Sequence, residues 1–298
     1  MTRPPETAEA TELRARIDAL VKAGATAPAA ADDPAVRATI ESLMDALEAG
    51  SVRAAERLTD GSWHAVGWVK RGILLGFRLG TLVDQSPRDA AGRSIRPFSF
   101  FDKDTMVART FVLADGVRVV PGGTTIRRGA HVAAGVVCMP PSYVNVGAYI
   151  ATGSMVDSHA LVGSCAQLGE RVHLSAGAQI GGVLEPINAA PVIIEDDVVV
   201  GGNCGVFEGT IVRSRAVLGA GLILTRATPV YDLVRQAVYR ATAAGPLEIP
   251  SGAVVVPGTR PIASGWGASE GLAVHTPIVV KYRDDKTDAA TALEAWLR

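Results

Sequence analysis

The side chains able to do chemistry in this chain are sparse, and most stand alone beside an aliphatic residue. Asp157, in Ser154-Met155-Val156-Asp157-Ser158, and Glu208, in Gly205-Val206-Phe207-Glu208-Gly209-Thr210, offer carboxylates that could take or hold a proton. Arg118 offers a planar fork of donors suited to a carboxylate. Lys281, Arg283 and Lys286 gather cations that could meet phosphates, or form only a solvated face. Gly219-Ala220-Gly221 is a step of small residues that lets a ligand approach the backbone. His159 lies two residues after Asp157 and could tune or replace it as a base, although packing is the plainer role. His131 and His173 show no metal-ligand spacing, so no metal site is expected. The cysteines, Cys138, Cys165 and Cys204, lack a CxxC spacing; their odd, scattered count suits a reducing cytoplasm and small buried side chains.

A repeat must position these groups. Steps of six from Val120 meet Ile126, Val132, Cys138, Val144 and Ile150, and continue through Val156, Val162, Leu168 and Leu174 to Ile180, all apolar. The fourth residue after each of the first ten is small or β-branched, as at Ala130, Ala148, Ser154 and Ala178. The phase breaks at Gly182-Val183-Leu184-Glu185-Pro186, resumes at Ile194, runs to Leu224, and ends with Ile249 and Val255 after a second interruption. A period of six is neither helical nor a flat alternation. It predicts three short straight segments per turn around a triangular prism, with coils about 4.8 Å apart and six or seven of them spanning about 30 Å. The large aliphatic points inward, and glycines such as Gly147, Gly153 and Gly177 take the bends. Asp157 directly follows the inward Val156 and therefore faces outward. The fold class expected is mainly β, a parallel β-helix.

Stacking leaves the ends in need of covers. Residues 9–24 and 34–49 carry helical apolar spacing, and 51–79 reads as strand, Asp60-Gly61 turn, strand, then an amphipathic helix. Residues 81–105 read as an irregular connector, 276–282 as a strand and 286–297 as a closing helix. The division expected is 1–105 as an N-terminal helical/αβ domain, 106–260 as the β-helix, and 261–298 as a C-terminal strand and helix cap. With 29 basic and 30 acidic residues the charge is nearly balanced, which argues against a nucleic-acid partner. The polar start has no apolar signal segment, and no stretch is long and apolar enough to span a membrane.

Hexads of this kind resemble the left-handed β-helix acyltransferases. Within them, Pro141-Ser142-Tyr143-Val144-Asn145-Val146-Gly147-Ala148-Tyr149, Gly163-Ser164-Cys165-Ala166-Gln167, the run 172–186, the Trp68-Val69-Lys70 region and Val254-Val255-Val256 resemble the tetrahydrodipicolinate N-succinyltransferases. The resemblance implies a left-handed coil, a homotrimer, and succinyl transfer from succinyl-CoA, as co-substrate, to the amine of 2-amino-6-oxopimelate in the lysine and diaminopimelate pathway. It further implies Asp157 as the catalytic aspartate and Glu208 as an essential glutamate. Arg118 would be a substrate-holding arginine, with Gly219, Ala220 and Lys281 on the CoA side. Some members carry the glutamate three residues earlier, where this chain has Gly205, so Glu208 could be base, acyl acceptor or loop anchor. An acetyl-CoA-dependent relative and a scaffold without chemistry stand as the other readings.

Overall fold

The computed structural model describes residues 7–24, 32–93, 95, 99–185, 189–243 and 245–284. Its centre is a three-faced parallel coil. Face I stacks Arg118–Val119, Val137–Cys138, Met155–Val156, His173–Leu174, Val199–Val200, Val217–Leu218 and the start of Ala253–Pro261. Face II stacks Thr125–Ile126, Tyr143–Val144, Leu161–Val162, Gln179–Ile180, Gly205–Val206 and Ile223–Leu224. Face III stacks His131–Val132, Tyr149–Ile150, Gln167–Leu168, Ile193–Ile194, Ile211–Val212 and Glu248–Ile249. The second residue of each short strand points into the prism, and from Val144 to Leu224 these residues are almost wholly buried. The small residues four positions on fill the corners around them, as at Ala148, Ala166 and Ala178.

From Arg118–Val119 to Glu248–Ile249 the strands of the three faces are only two residues long, because the chain must turn again within the hexad. At most turns the third residue after the inward position takes the left-handed backbone region, with φ of 75° at Gly147, 69° at Gly153 and 71° at Gly177. His159, Cys165, Arg171, Asp197, Asn203 and Arg215 occupy the same slot without being glycine.

The first coil departs from the expected step. Val119, not Val120, pairs with Cys138, because one extra residue is taken up at Gly122-Gly123, where φ is 146° and 103°. The two later interruptions leave the stacking intact. Leu168 pairs with Ile194 across the first, and Val212 with Ile249 across the second. The second insert forms the hairpin Val230–Asp232 and Ala237–Tyr239, closed by Tyr239 and Tyr282 hydroxyls donating to Asp232 at 2.9 and 2.6 Å. The last coil then runs out into a long antiparallel hairpin, Ala253–Pro261 with Ala273–Tyr282.

The N-terminal part packs three helices: α1 (Ala8–Lys22), α2 (Pro34–Ala49) and α3 (Gly67–Leu79). Thr7 caps α1, and Asp33 caps α2 by accepting the Ala35 N–H at 2.8 Å. At Gly72 of α3 an added Cβ would lie 2.5 Å from Leu43, so glycine there lets the helices approach. Between α2 and α3, strands Ala55–Arg57 and Trp63–Ala65 form a hairpin laid on face III, where Ala55 and Trp63 pack on Ile193 and Ile211. Arg128 ties α2 to the coil by pairing with Glu41, Asp45 and Glu48. The expected connector contains one antiparallel pair, Leu82–Asp84 with Phe101–Lys103. The expected helix over 286–297 and Lys286 lie outside the described residues.

Candidate active site

Asp157 sits where face I turns into face II, half-buried, with Oδ1 accepting the Ser158 N–H at 2.7 Å. One carboxylate oxygen therefore serves the turn, while among the described residues Oδ2 has no protein partner. His159, two residues on, is exposed and occupies the regular left-handed slot with φ of 60°. It lines a shallow cavity of about 320 Å3 with Pro141, Ser142 and Tyr143. His159 thus stands beside Asp157 but turns toward face II.

The same edge carries a lane of small residues. Successive coils place Ser175-Ala176-Gly177, Gly201-Gly202-Asn203 and Gly219-Ala220-Gly221 below Asp157. Three coil steps of about 4.8 Å put Gly219 about 14 Å from Asp157 along the axis. Packing explains part of this lane. A Cβ at Gly201 would lie 2.6 Å from Ala220 N and Leu218 O, and one at Gly177 would lie 2.4 Å from Asn203 Oδ1. At Gly219 an added Cβ would lie 3.3 Å from Val255 O, tight but less so than at Gly201 or Gly177, and no left-handed φ is required there.

The basic groups separate. Lys281 pairs in register with Val254, on the side of face I away from Gly219, and its ammonium lies 3.4 Å from Asp284. Arg283 donates to Asp197 O at 2.8 Å, at the edge where face III turns into face I. Arg260, which the sequence reading did not single out, is exposed on the strand that continues past the lane from Val255. Its position directly after the last coil was the available signal. Arg118 is exposed on the outward row of face I, two strands before Met155.

Glu208 lies where face II turns into face III. Asp157 lies across face II from it and two coil steps away, about 10 Å along the axis. One chain therefore does not bring the two carboxylates together. Glu208 accepts the Arg226 N–H at 2.9 Å and borders a cavity of about 470 Å3 with Ala189, Ala190 and Pro246. Its φ of 55° falls one residue before the regular slot, which Gly209 fills with φ of 73°. Among the described residues of the coils it is the one non-glycine residue with a left-handed backbone out of phase. Such local strain is characteristic of functional positions.

The buried reactive groups elsewhere are quiet. All three cysteines are buried and free, and burial pushes the Cys138 and Cys165 thiols up to about 12. His131 stacks on Tyr149 at 4.3 Å, and its Nδ1–H donates to Glu48 O at 2.8 Å. Lys70 on α3 is fully buried and donates to Ala189 O. No described helix is long and apolar enough to cross a membrane.

Stacked hexads, an outward carboxylate at one edge and a small-residue lane below it define a hexapeptide-repeat β-helix of the acyltransferase type. The comparisons narrow this class. Residues 12–79 match the tetrahydrodipicolinate N-succinyltransferase N-terminal model, and 191–226 match the hexapeptide repeat of succinyl-transferase. A 2,3,4,5-tetrahydropyridine-2,6-dicarboxylate N-succinyltransferase of Polynucleobacter asymbioticus is 41% identical over 88% of this chain and 90% of its own length. The protein of that name from Acinetobacter baylyi is 40% identical over 90% of this chain and 92% of its own. A Campylobacter jejuni crystal structure described as a putative 2,3,4,5-tetrahydropyridine-2-carboxylate N-succinyltransferase aligns at TM-score 0.49 and 17% identity, covering 86% of this chain and 64% of that one. This chain belongs to the tetrahydrodipicolinate N-succinyltransferase family.

Proposed function

We propose that the chain transfers a succinyl group from succinyl-CoA to the amine of 2-amino-6-oxopimelate, the opened form of tetrahydrodipicolinate, in lysine and diaminopimelate biosynthesis. The observation that carries this is 41% identity across 88% of the chain to an enzyme of that name, coils and N-terminal part included. In the reaction the amine nitrogen attacks the thioester carbonyl, the C–N bond forms and the C–S bond breaks. The sulfur leaves as thiolate and takes up a proton, while the amine gives one up. Asp157 takes that second task in this reading, its free oxygen accepting the N–H as positive charge develops on nitrogen. CoA lies along the lane from Asp157 to Gly219 and Ala220, with Arg260 offering charge beyond its end. Lys281 reaches this CoA only if a neighbouring copy brings its far edge to the lane. Arg118 grips a substrate carboxylate from the outward row of face I.

The site is completed by a homotrimer. The N-terminal hairpin covers face III, whereas faces I and II present outward rows including Met155, Val199 and Val217, and Tyr143, Leu161 and Ile223. In this reading each copy offers one edge to its neighbour in a ring, and the active site takes Asp157 from one subunit and Glu208 from the next. A cytoplasmic location suits three free thiols.

The direct test supplies succinyl-CoA or acetyl-CoA with the amino-diacid and follows released thiol. Succinyl-CoA is the preferred donor in this reading, and a clear acetyl preference overturns it.

A further inference from the structure

A third cavity, polar and of about 250 Å3, lies on face III under the N-terminal hairpin, away from the edge that carries Asp157. Its wall includes Arg53, Trp63, Tyr149, Gln167, Glu195 and Asp196. Arg53 is rigidly held. Its guanidinium lies 3.7 Å above the Tyr149 ring and 5.7 Å from Trp63, and Nε donates to Gln167 Oε1 at 3.0 Å. Gln167 is itself locked, with its amide nitrogen donating to Cys165 O at 2.9 Å. Among the described residues the two terminal nitrogens of Arg53 find no protein acceptor. Desolvation holds the Arg53 pKa below its ordinary value, with Tyr149 and the charges of Glu56 and then Asp196 opposing that effect. A half-buried cation without a hydrogen-bonded counter-charge is costly, so its retention points to an anion from outside the chain.

The nearby carboxylates answer differently. Glu195 is 5% exposed and fully engaged, accepting from Trp63 Nε1 at 3.0 Å, Arg213 at 2.9 Å and the Ser214 N–H at 3.0 Å. Asp196 spends Oδ1 on the Glu170 N–H at 2.8 Å and keeps Oδ2 without a protein partner among the described residues. Arg53 and Asp196 line one cavity without forming an ion pair, so an open donor fork and an open acceptor face the same space.

We propose that this cavity binds an α-amino acid as its zwitterion, the carboxylate on Arg53 and the ammonium on Asp196, between the Trp63 and Tyr149 rings. The volume lies below the range of about 300–1,000 Å3 typical of drug-sized sites, which fits a single amino acid. The site joins the N-terminal hairpin to the coils, so a bound amino acid bridges the two parts of the chain.

Calorimetric titration of the full chain with glycine, L-alanine, L-glutamate and L-lysine tests this, with acetate, methylamine and inorganic phosphate as single-charge probes. At least one amino acid binds, and Arg53→Met and Asp196→Asn each weaken it by about tenfold or more. Asp196→Asn retains the oxygen that accepts the Glu170 N–H, so it decides the matter alone if Arg53→Met does not fold. Asp157→Asn leaves the binding unchanged, which separates this site from the proposed catalytic edge. No amino acid binding up to about 10 mM, or binding indifferent to both variants, overturns the proposal. Acetate or phosphate binding as tightly as the amino acids overturns it too, in favour of a plain anion site.

Discussion

At the residue scale the account turns on two carboxylates in different local settings. Asp157 occupies an ordinary outward position, with one oxygen spent on its turn. Glu208 occupies a strained one, out of step with the coil. Asp157→Asn keeps the Oδ1 contact to Ser158 but removes the proton acceptor. We expect kcat to fall by about 10²–10⁴-fold with KM for succinyl-CoA nearly unchanged, as steady-state kinetics will show. If activity is retained, the base is elsewhere, and His159 is the next group on that edge. Glu208→Gln preserves an acceptor for the Arg226 N–H, so a glutamate that only anchors its loop predicts near-normal turnover. A loss comparable to that of Asp157→Asn assigns it to the chemistry. The outward placement of Asp157 was legible because it follows an inward valine in an unbroken hexad run. The strain at Glu208 was not, since a six-residue period locates the turn but not a residue displaced within it.

At the element scale, each coil depends on the coils above and below. Leu168 is fully buried between its neighbours Ile150 and Ile194. Leu168→Ala is expected to cost about 2–5 kcal/mol in stability by thermal or denaturant unfolding, because a stacked core has little room to collapse. The proposed CoA lane gives a different result. Gly219→Ala puts a Cβ 3.3 Å from Val255 O and 3.4 Å from Val256 Cγ1, tight contacts that a shift of a few tenths of an ångström relieves, so KM for the acyl-CoA is expected to rise several-fold with Tm nearly unchanged. Unchanged KM would remove CoA from this edge. The coils themselves were readable from the aliphatic hexads, including both interruptions. The first coil was misplaced by one residue because Gly122-Gly123 absorbs an extra position that leaves no mark on an apolar pattern.

At the scale of the whole molecule, the N-terminal part and the coils are joined by contacts between residues far apart in the chain. Trp63 reaches Glu195, and Arg53 reaches Gln167. No local pattern announces such pairs, although Glu195 follows the inward Ile194 just as Asp157 follows Val156. Burial of Glu195 opposes its ionisation, but the donors Trp63, Ser214 and Arg213 outweigh that and hold its pKa below the ordinary 4.5. A folded-state pKa below the unfolded one gives stability that is complete above about pH 4.5 and is lost as pH falls through the folded value. Glu195→Gln should therefore lower Tm at pH 7, with the gap to wild type narrowing as melts are taken from pH 5 towards pH 3. A constant gap would assign the loss to packing.

The central claim is that each active site takes Asp157 from one subunit and Glu208 from the next. A shared site requires that the Asp157→Asn and Glu208→Gln chains each be inactive alone, and a Glu208→Gln chain with near-normal activity contradicts it at once. The two inactive chains can then be unfolded together in equal amounts, refolded and assayed for succinyl transfer. Random assembly into closed trimers puts both intact residues at about a quarter of the seams, so the mixture is predicted to recover about a quarter of wild-type activity. If the mixture stays as inactive as either parent while a refolded wild-type control recovers, the shared site is contradicted.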